Sequence, residues 1–117
     1  HRSRRQPHRL PEPTEGSDPS WFGFLLTVKD GAGFKRDDMV NHLESKGIQT
    51  RMLFAGNLIK HPSFDEMRRS GQGYRTVGNL ENTDWIMNDT FWIGVYPGMT
   101  EEMIGYMIER IRGFLRM

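Results

Sequence analysis

The chemistry-bearing residues of this chain crowd into one stretch, Gly47 to Pro62, which reads Gly-Ile-Gln-Thr-Arg-Met-Leu-Phe-Ala-Gly-Asn-Leu-Ile-Lys-His-Pro. Arg51 presents a planar fork able to hold a phosphate or carboxylate through two hydrogen bonds. Asn57 can donate to and accept from sugar hydroxyls, Gly56 lets a ligand approach the backbone, and His61 can bond or polarise a ligand oxygen. With Phe54 at the apolar end of the strand, these residues form the candidate substrate-binding set: Arg51, Phe54, Gly56, Asn57 and His61. A plainer account is equally open. Arg51 then pairs with an acid inside the domain, and Asn57 only occupies a left-handed turn position.

No catalytic constellation accompanies that set. His61 and Asp65 are one pair at helical spacing, too few ligands for a metal site. No serine sits in a nucleophile elbow. Asp37-Asp38 and Glu101-Glu102 stand at helix starts, where the helix dipole explains them better than acid–base work does. The lysines Lys29, Lys35, Lys46 and Lys60 lie in polar contexts that do not suggest a Schiff base. His42, beside a helical apolar stripe, reads as a boundary residue.

The elements that must position the set follow from pattern. Trp21–Val28 is a strand of aromatic and branched residues, apolar enough to predict burial on both faces, with Gly23 marking a bulge or close approach. Residues 35–46 predict a helix, with Phe34 as a staple, acids in the first turn, an apolar stripe of Met39, Val40 and Leu43, and Gly47 as the left-handed stop. Ile48–Phe54 is the second strand. A strand–helix–strand unit favours parallel pairing where both strands share a sheet. Pro62 opens a short helix with Phe64 and Met67 inward. Residues 70–80 form a glycine-rich loop whose Gly-Gln-Gly-Tyr lacks the strand and helix of a nucleotide fingerprint. Asn82 or Thr83 caps a helix to Asn88 with Trp85 and Ile86 inward. Phe91–Val95 is the third strand. Thr100 caps the last helix, whose core stripe is Ile104, Met107, Ile108, Ile111 and Leu115. About three strands, with helices packed on one side, make an α+β two-layer domain over residues 21–117. Residues 1–20, arginine-rich and then proline-punctuated, read as an extended or disordered lead.

Composition narrows the function classes. The length of 117 residues allows one domain, and the formal charge of +1 provides no field to draw in nucleic acid or an anionic membrane. There is no cysteine, hence no disulfide framework, thiolate metal site or cysteine nucleophile in these residues, which fits a cytoplasmic setting. No apolar run approaches the roughly 20 residues that span a bilayer.

Three motifs carry a resemblance. They are Asp18-Pro19-Ser20-Trp21-Phe22-Gly23-Phe24, Thr50-Arg51-Met52-Leu53-Phe54-Ala55-Gly56-Asn57-Leu58 and Phe91-Trp92-Ile93-Gly94-Val95-Tyr96-Pro97-Gly98. Together they resemble the C-terminal segment of the nucleotide-sugar 3-dehydrases, above all those acting on CDP-4-keto-6-deoxyglucose in lipopolysaccharide O-antigen synthesis. These belong to the vitamin B6-dependent (DegT/DnrJ/EryC/StrS) sugar aminotransferase family. The resemblance runs from about residue 10 to the end. It implies the small domain of the aspartate aminotransferase fold (fold type I) and a homodimeric parent protein. The parent would hold pyridoxal or pyridoxamine phosphate and, where the family carries one, an iron–sulfur cluster, on residues outside this chain. There the cofactor would assist loss of the 3-hydroxyl from a 4-keto sugar. The chain itself would carry no cofactor, would be inactive alone, and would close the site over the sugar nucleotide. Two alternatives stand beside this one: a fragment of a sugar aminotransferase, against which the Arg51…Gly56-Asn57 stretch counts, and a free-standing binding module.

Overall fold

The computed structural model describes residues 8–116; the arginine-rich residues 1–7, expected to be disordered, lie outside them, as does residue 117. In chain order the elements are β1 (His8–Arg9), β2 (Gly23–Val28), α1 (Arg36–Ser45), β3 (Thr50–Met52), α2 (Asp65–Ser70), α3 (Glu81–Asp89), β4 (Thr90–Gly94) and α4 (Glu101–Phe114). Short 3-10 turns at Leu58–Lys60 and Pro62–Phe64 lead into α2. The architecture is the expected α+β domain. The lead also contributes to the sheet: His8 and Arg9 pair antiparallel with Val28 and Thr27.

The sheet order is β1-β2-β4-β3, with every neighbouring pair antiparallel. Strands β2 and β3, joined through α1, therefore do run parallel, but they do not pair. β4 lies between them and bonds to both. Apolar periodicity identifies strands and the faces they bury, not which strand fills the gap in a crossover.

Helix α1 forms as its sequence dictates. The Lys35 backbone N–H donates to the Asp38 carboxylate at 2.8 Å, and Gly47 ends the helix at φ 76°. Met39 and Leu43 are fully buried against Leu26, Ile48, Phe91 and Ile93, with Phe24, Phe34, Val40, Met107, Ile111 and Phe114 around that core. Strand β2 is not buried on both faces. Leu26 and Val28 are inside, whereas Leu25 and Thr27 on the other face are only half-covered. Trp21 and Phe22 fall outside the strand, Phe22 exposed.

Three helices depart from expectation, the first being α2, where Met67 is half-buried but Phe64, just before it, is exposed. Helix α3 begins at Glu81, and its N-cap position is Leu80, which makes no side-chain capping bond; one residue earlier, the Asn79 side-chain oxygen accepts from the Glu81 N–H at 3.2 Å, while Asn82 and Thr83 lie within the first turn. Trp85 is half-buried but Ile86 is exposed. In α4, Thr100 caps as expected, accepting from the Met103 N–H at 3.2 Å. The core stripe, however, is narrower. Met107 and Ile111, joined by Phe114, reach the core, while Ile104 and Ile108 are exposed. A sheet of three main strands covers only part of the helix's apolar face.

Candidate ligand-facing edge

Strand β3 is shorter than its apolar run because the chain turns sharply at its end. Phe54 sits in the left-handed region at φ 45°, its N–H bonded to the Met52 carbonyl at 2.8 Å. At its start, β3 is tied to α1: the Glu44 carboxylate accepts from the Thr50 N–H at 2.6 Å and from its hydroxyl at 2.8 Å. These bonds, the backbone one foremost, hold the Glu44 carboxyl below the usual carboxylate range. Arg51 lies between these two fixed points.

Arg51 pairs in register with Trp92 of β4. Its side chain is exposed, and among the described residues its guanidinium makes no hydrogen bond or ion pair. Pairing with a domain acid, the plainer account of Arg51, is thus not seen. It borders a shallow cleft of about 170 Å³ lined by Phe22, Gly23, Gln49, Trp92 and Gly94. The Trp92 ring receives Phe22 and Phe54 edge-on, each 5.1 Å away between centroids. Phe54 is 77% exposed despite that contact.

The rest of the candidate set is turned inward or sideways. Gly56 has φ 65°, and a Cβ there would lie 2.3 Å from Cγ of Met87, so its open backbone admits α3 of the same chain. Asn57 is buried, at 3% exposure, and its amide donates to the Asp84 carboxylate at 2.8 Å. Its φ of −81° is not left-handed either, so neither sequence account of Asn57 describes it. Lys60 donates to the other Asp84 oxygen at 2.7 Å, and the Asn57 N–H lies 3.3 Å from Sδ of Met87. One carboxylate on α3 thus ties down both ends of the 57–60 turn. The Lys60 bond first, then the Asn57 bond, keep the Asp84 carboxyl below its ordinary range. His61 is exposed and accepts from the Ser63 N–H at 3.3 Å, capping the turn that Pro62 opens.

The structure therefore brings Arg51 and Phe54 together at a surface and separates them from Gly56, Asn57 and His61. Sequence reasoning missed Asp84, Phe22, Gln49, Trp92 and Gly94. Trp92 and Gly94 were legible in principle, since alternation puts both on the face opposite buried Phe91 and Ile93. Asp84 had no local signal, because its two partners lie on a distant loop.

This edge can bind; it offers no acid–base pair. No cluster of three metal-ligating side chains exists among the described residues. No helix is long and apolar enough to cross a membrane among them either.

A split strand–helix–strand sheet with helices on one face makes this a small α+β domain of the kind found in pyridoxal-phosphate-dependent aminotransferase-like proteins. Residues 3–112 match the model of the DegT/DnrJ/EryC1/StrS aminotransferase family, and the chain belongs to that family. It is 51% identical over 105 residues to the lipopolysaccharide biosynthesis protein RfbH of Salmonella typhimurium, covering 90% of this chain and 23% of that protein. It is 49% identical over 106 residues to the dTDP-4-dehydro-2,6-dideoxy-D-glucose 3-dehydratase of Saccharopolyspora spinosa, covering 91% of this chain and 22% of that protein. The chain thus spans under a quarter of the length of these relatives. Among solved structures, GDP-4-keto-6-deoxymannose-3-dehydratase with bound GDP-perosamine superposes with a TM-score of 0.74 at 26% identity, over 92% of this chain and 26% of that one. The same dehydratase with a trapped PLP-glutamate geminal diamine gives 0.74 at 25% identity, over 89% and 25%.

Proposed function

We propose that this chain is the C-terminal segment of a pyridoxal/pyridoxamine-phosphate-dependent nucleotide-sugar 3-dehydrase of dideoxysugar biosynthesis for lipopolysaccharide O-antigen. In this reading it closes the active site over the sugar nucleotide in a homodimeric, cytoplasmic parent enzyme. The observation that carries the reading is the 51% identity to RfbH, which extends over 90% of the chain, site face included.

The chain's own part is binding and enclosure. Arg51 holds an anionic oxygen of the substrate. Phe22 and Phe54 shield that contact from water, which strengthens it. The Asp84 bonds to Asn57 and Lys60 keep the loop after Phe54 in place. The described residues do not make a site for the B6 cofactor. Lys60 is committed to Asp84, Lys35 and Lys46 are exposed, and no lysine lines the Arg51 cleft. No cysteine is available for an iron–sulfur cluster. Both groups belong, in this reading, to parts of the parent protein outside this chain.

The test is product analysis. The complete polypeptide carrying this chain, supplied with cofactor, reductant and a nucleotide-linked 4-keto-6-deoxyhexose, should yield a sugar lacking its 3-hydroxyl, detected by mass and NMR. An amino sugar formed at the expense of glutamate would move the protein to the sister aminotransferases. Absence of both products would leave a binding module.

A further inference from the structure

The Arg51 cleft has a floor without side chains. Gly23 and Gly94 face each other in register across β2 and β4. Gly23 has a reason within the chain: a Cβ there would lie 2.9 Å from the Trp92 ring. Gly94 has none. Its φ is not positive, nothing lies within 4 Å of where its Cβ would be, and it is exposed. A glycine in a strand weakens it unless something approaches the backbone closely. Along one wall stand Trp92 and Phe22, 5.1 Å apart and inclined at 62°. Along the other stand Gln49 and the unpaired Arg51.

We infer that this cleft seats the base of a nucleotide ligand, flat over Gly94 and against Phe22 and Trp92, with Arg51 taking the adjoining phosphate. The inference rests on the reading that the parent protein acts on a nucleotide sugar, and it assigns this chain the nucleotide end. Size favours that end. At about 170 Å³ the cleft is well below the ~300 Å³ at which drug-sized pockets begin, so it admits one planar ring and not a whole nucleotide sugar. Chemistry favours it as well. A hexose needs several hydroxyl partners, and apart from backbone the lining offers only Gln49, Arg51 and the indole N–H of Trp92. A heterocycle needs aromatic faces, which the lining supplies. The lone cation suits a phosphate, since a guanidinium fork bonds two of its oxygens. Stacking alone tolerates any base, so discrimination between bases falls to the Gln49 amide.

The experiment is calorimetric titration of the complete polypeptide with CDP, TDP, UDP and GDP, with pyrophosphate and free hexose as controls. Gly94→Val, Phe22→Ala and Arg51→Lys are titrated alongside, each checked by thermal melting. At least one nucleoside diphosphate should bind the parent protein more tightly than pyrophosphate does. Gly94→Val should fill the floor and abolish that binding without lowering the melting temperature. Phe22→Ala, at a ring already exposed, should weaken binding about 5- to 100-fold, and Arg51→Lys about tenfold. Nucleoside diphosphates that bind wild type, Gly94→Val and Phe22→Ala alike would overturn the cleft assignment and leave the dehydrase reading standing. A wild-type protein that binds neither a nucleoside diphosphate nor a nucleotide sugar would overturn both.

Discussion

Asn57, Asp84 and Phe54 illustrate how far a residue's type predicts its use. Asn57 has the chemistry of a sugar ligand, yet its buried amide serves Asp84. Asn57→Ala should therefore act on stability. It removes a charge-assisted bond from a buried position, and denaturant melts should show a loss of about 1–3 kcal/mol. Asp84 makes the same clamp sensitive to acid. Its carboxyl is held below the ordinary aspartate range in the folded chain by Lys60 and Asn57, so the unfolded chain takes up the proton first as pH falls. The clamp's contribution is complete above the ordinary aspartate value of about 3.9 and drains away as pH drops through the lower folded value. Asp84→Asn should lower the melting temperature near neutrality and flatten its decline below about pH 4, where the wild-type clamp is being lost. Phe54 carries strain instead, a non-glycine residue at φ 45°. Phe54→Gly should relieve about 1 kcal/mol of it and leave the melting temperature level or higher. It should nonetheless weaken substrate handling in the complete protein, because the ring is lost. A melting temperature that falls would show that the ring is needed by the fold. Arg51 was left open by its type, between a ligand contact and an ion pair inside the domain; among the described residues it makes no such pair.

At the level of elements, sequence pattern set α1 almost to the residue, because caps, acids and stripe agreed there. It placed α4 correctly but overstated its buried face. Periodicity shows that one side of a helix is apolar, and only the width of the sheet decides how much of that side is covered. Met107 and Ile111 touch the core, whereas Ile108 is 41% exposed. In this chain Met107→Ala or Ile111→Ala should cost about 1–3 kcal/mol, toward the low end for core truncations because both are only partly buried. Ile108→Ala should stay within about 0.5 kcal/mol. Equal losses at all three positions in urea melts would mean that the exposed half of the stripe is covered in solution. The place of β4 between β2 and β3 was not legible. Thr27 and Thr90 are bonded hydroxyl to hydroxyl at 2.8 Å across that junction, and they lie too far apart in sequence for any local pattern to link them.

The molecule as a whole is loosely built. Its radius of gyration is 17.0 Å, against about 13 Å for a compact chain of this length. The buried apolar core consists of Leu26, Val28, Met39, Leu43, Ile48, Phe91 and Ile93, while Phe22, Phe54, Ile104 and Ile108 remain at the surface. A chain with so small a core and so much exposed apolar surface should bind a hydrophobic dye and associate as its concentration rises. Sedimentation together with dye fluorescence checks this; a monomer that stays dark and melts high would contradict it. The sheet order also imposes a timetable. β2 and β3 both take their long hydrogen-bonded edge from β4, so neither gains that partner until Gly94 has been made. At about 5–20 residues per second, roughly 3–13 s separate the synthesis of Val28 from that of Gly94. For that interval on the ribosome the open edge of β2 is available to other nascent chains, and that of β3 for roughly the last 2–8 s of it, after Met52 is made. The hazard lies in the order of manufacture and disappears once the last strand arrives.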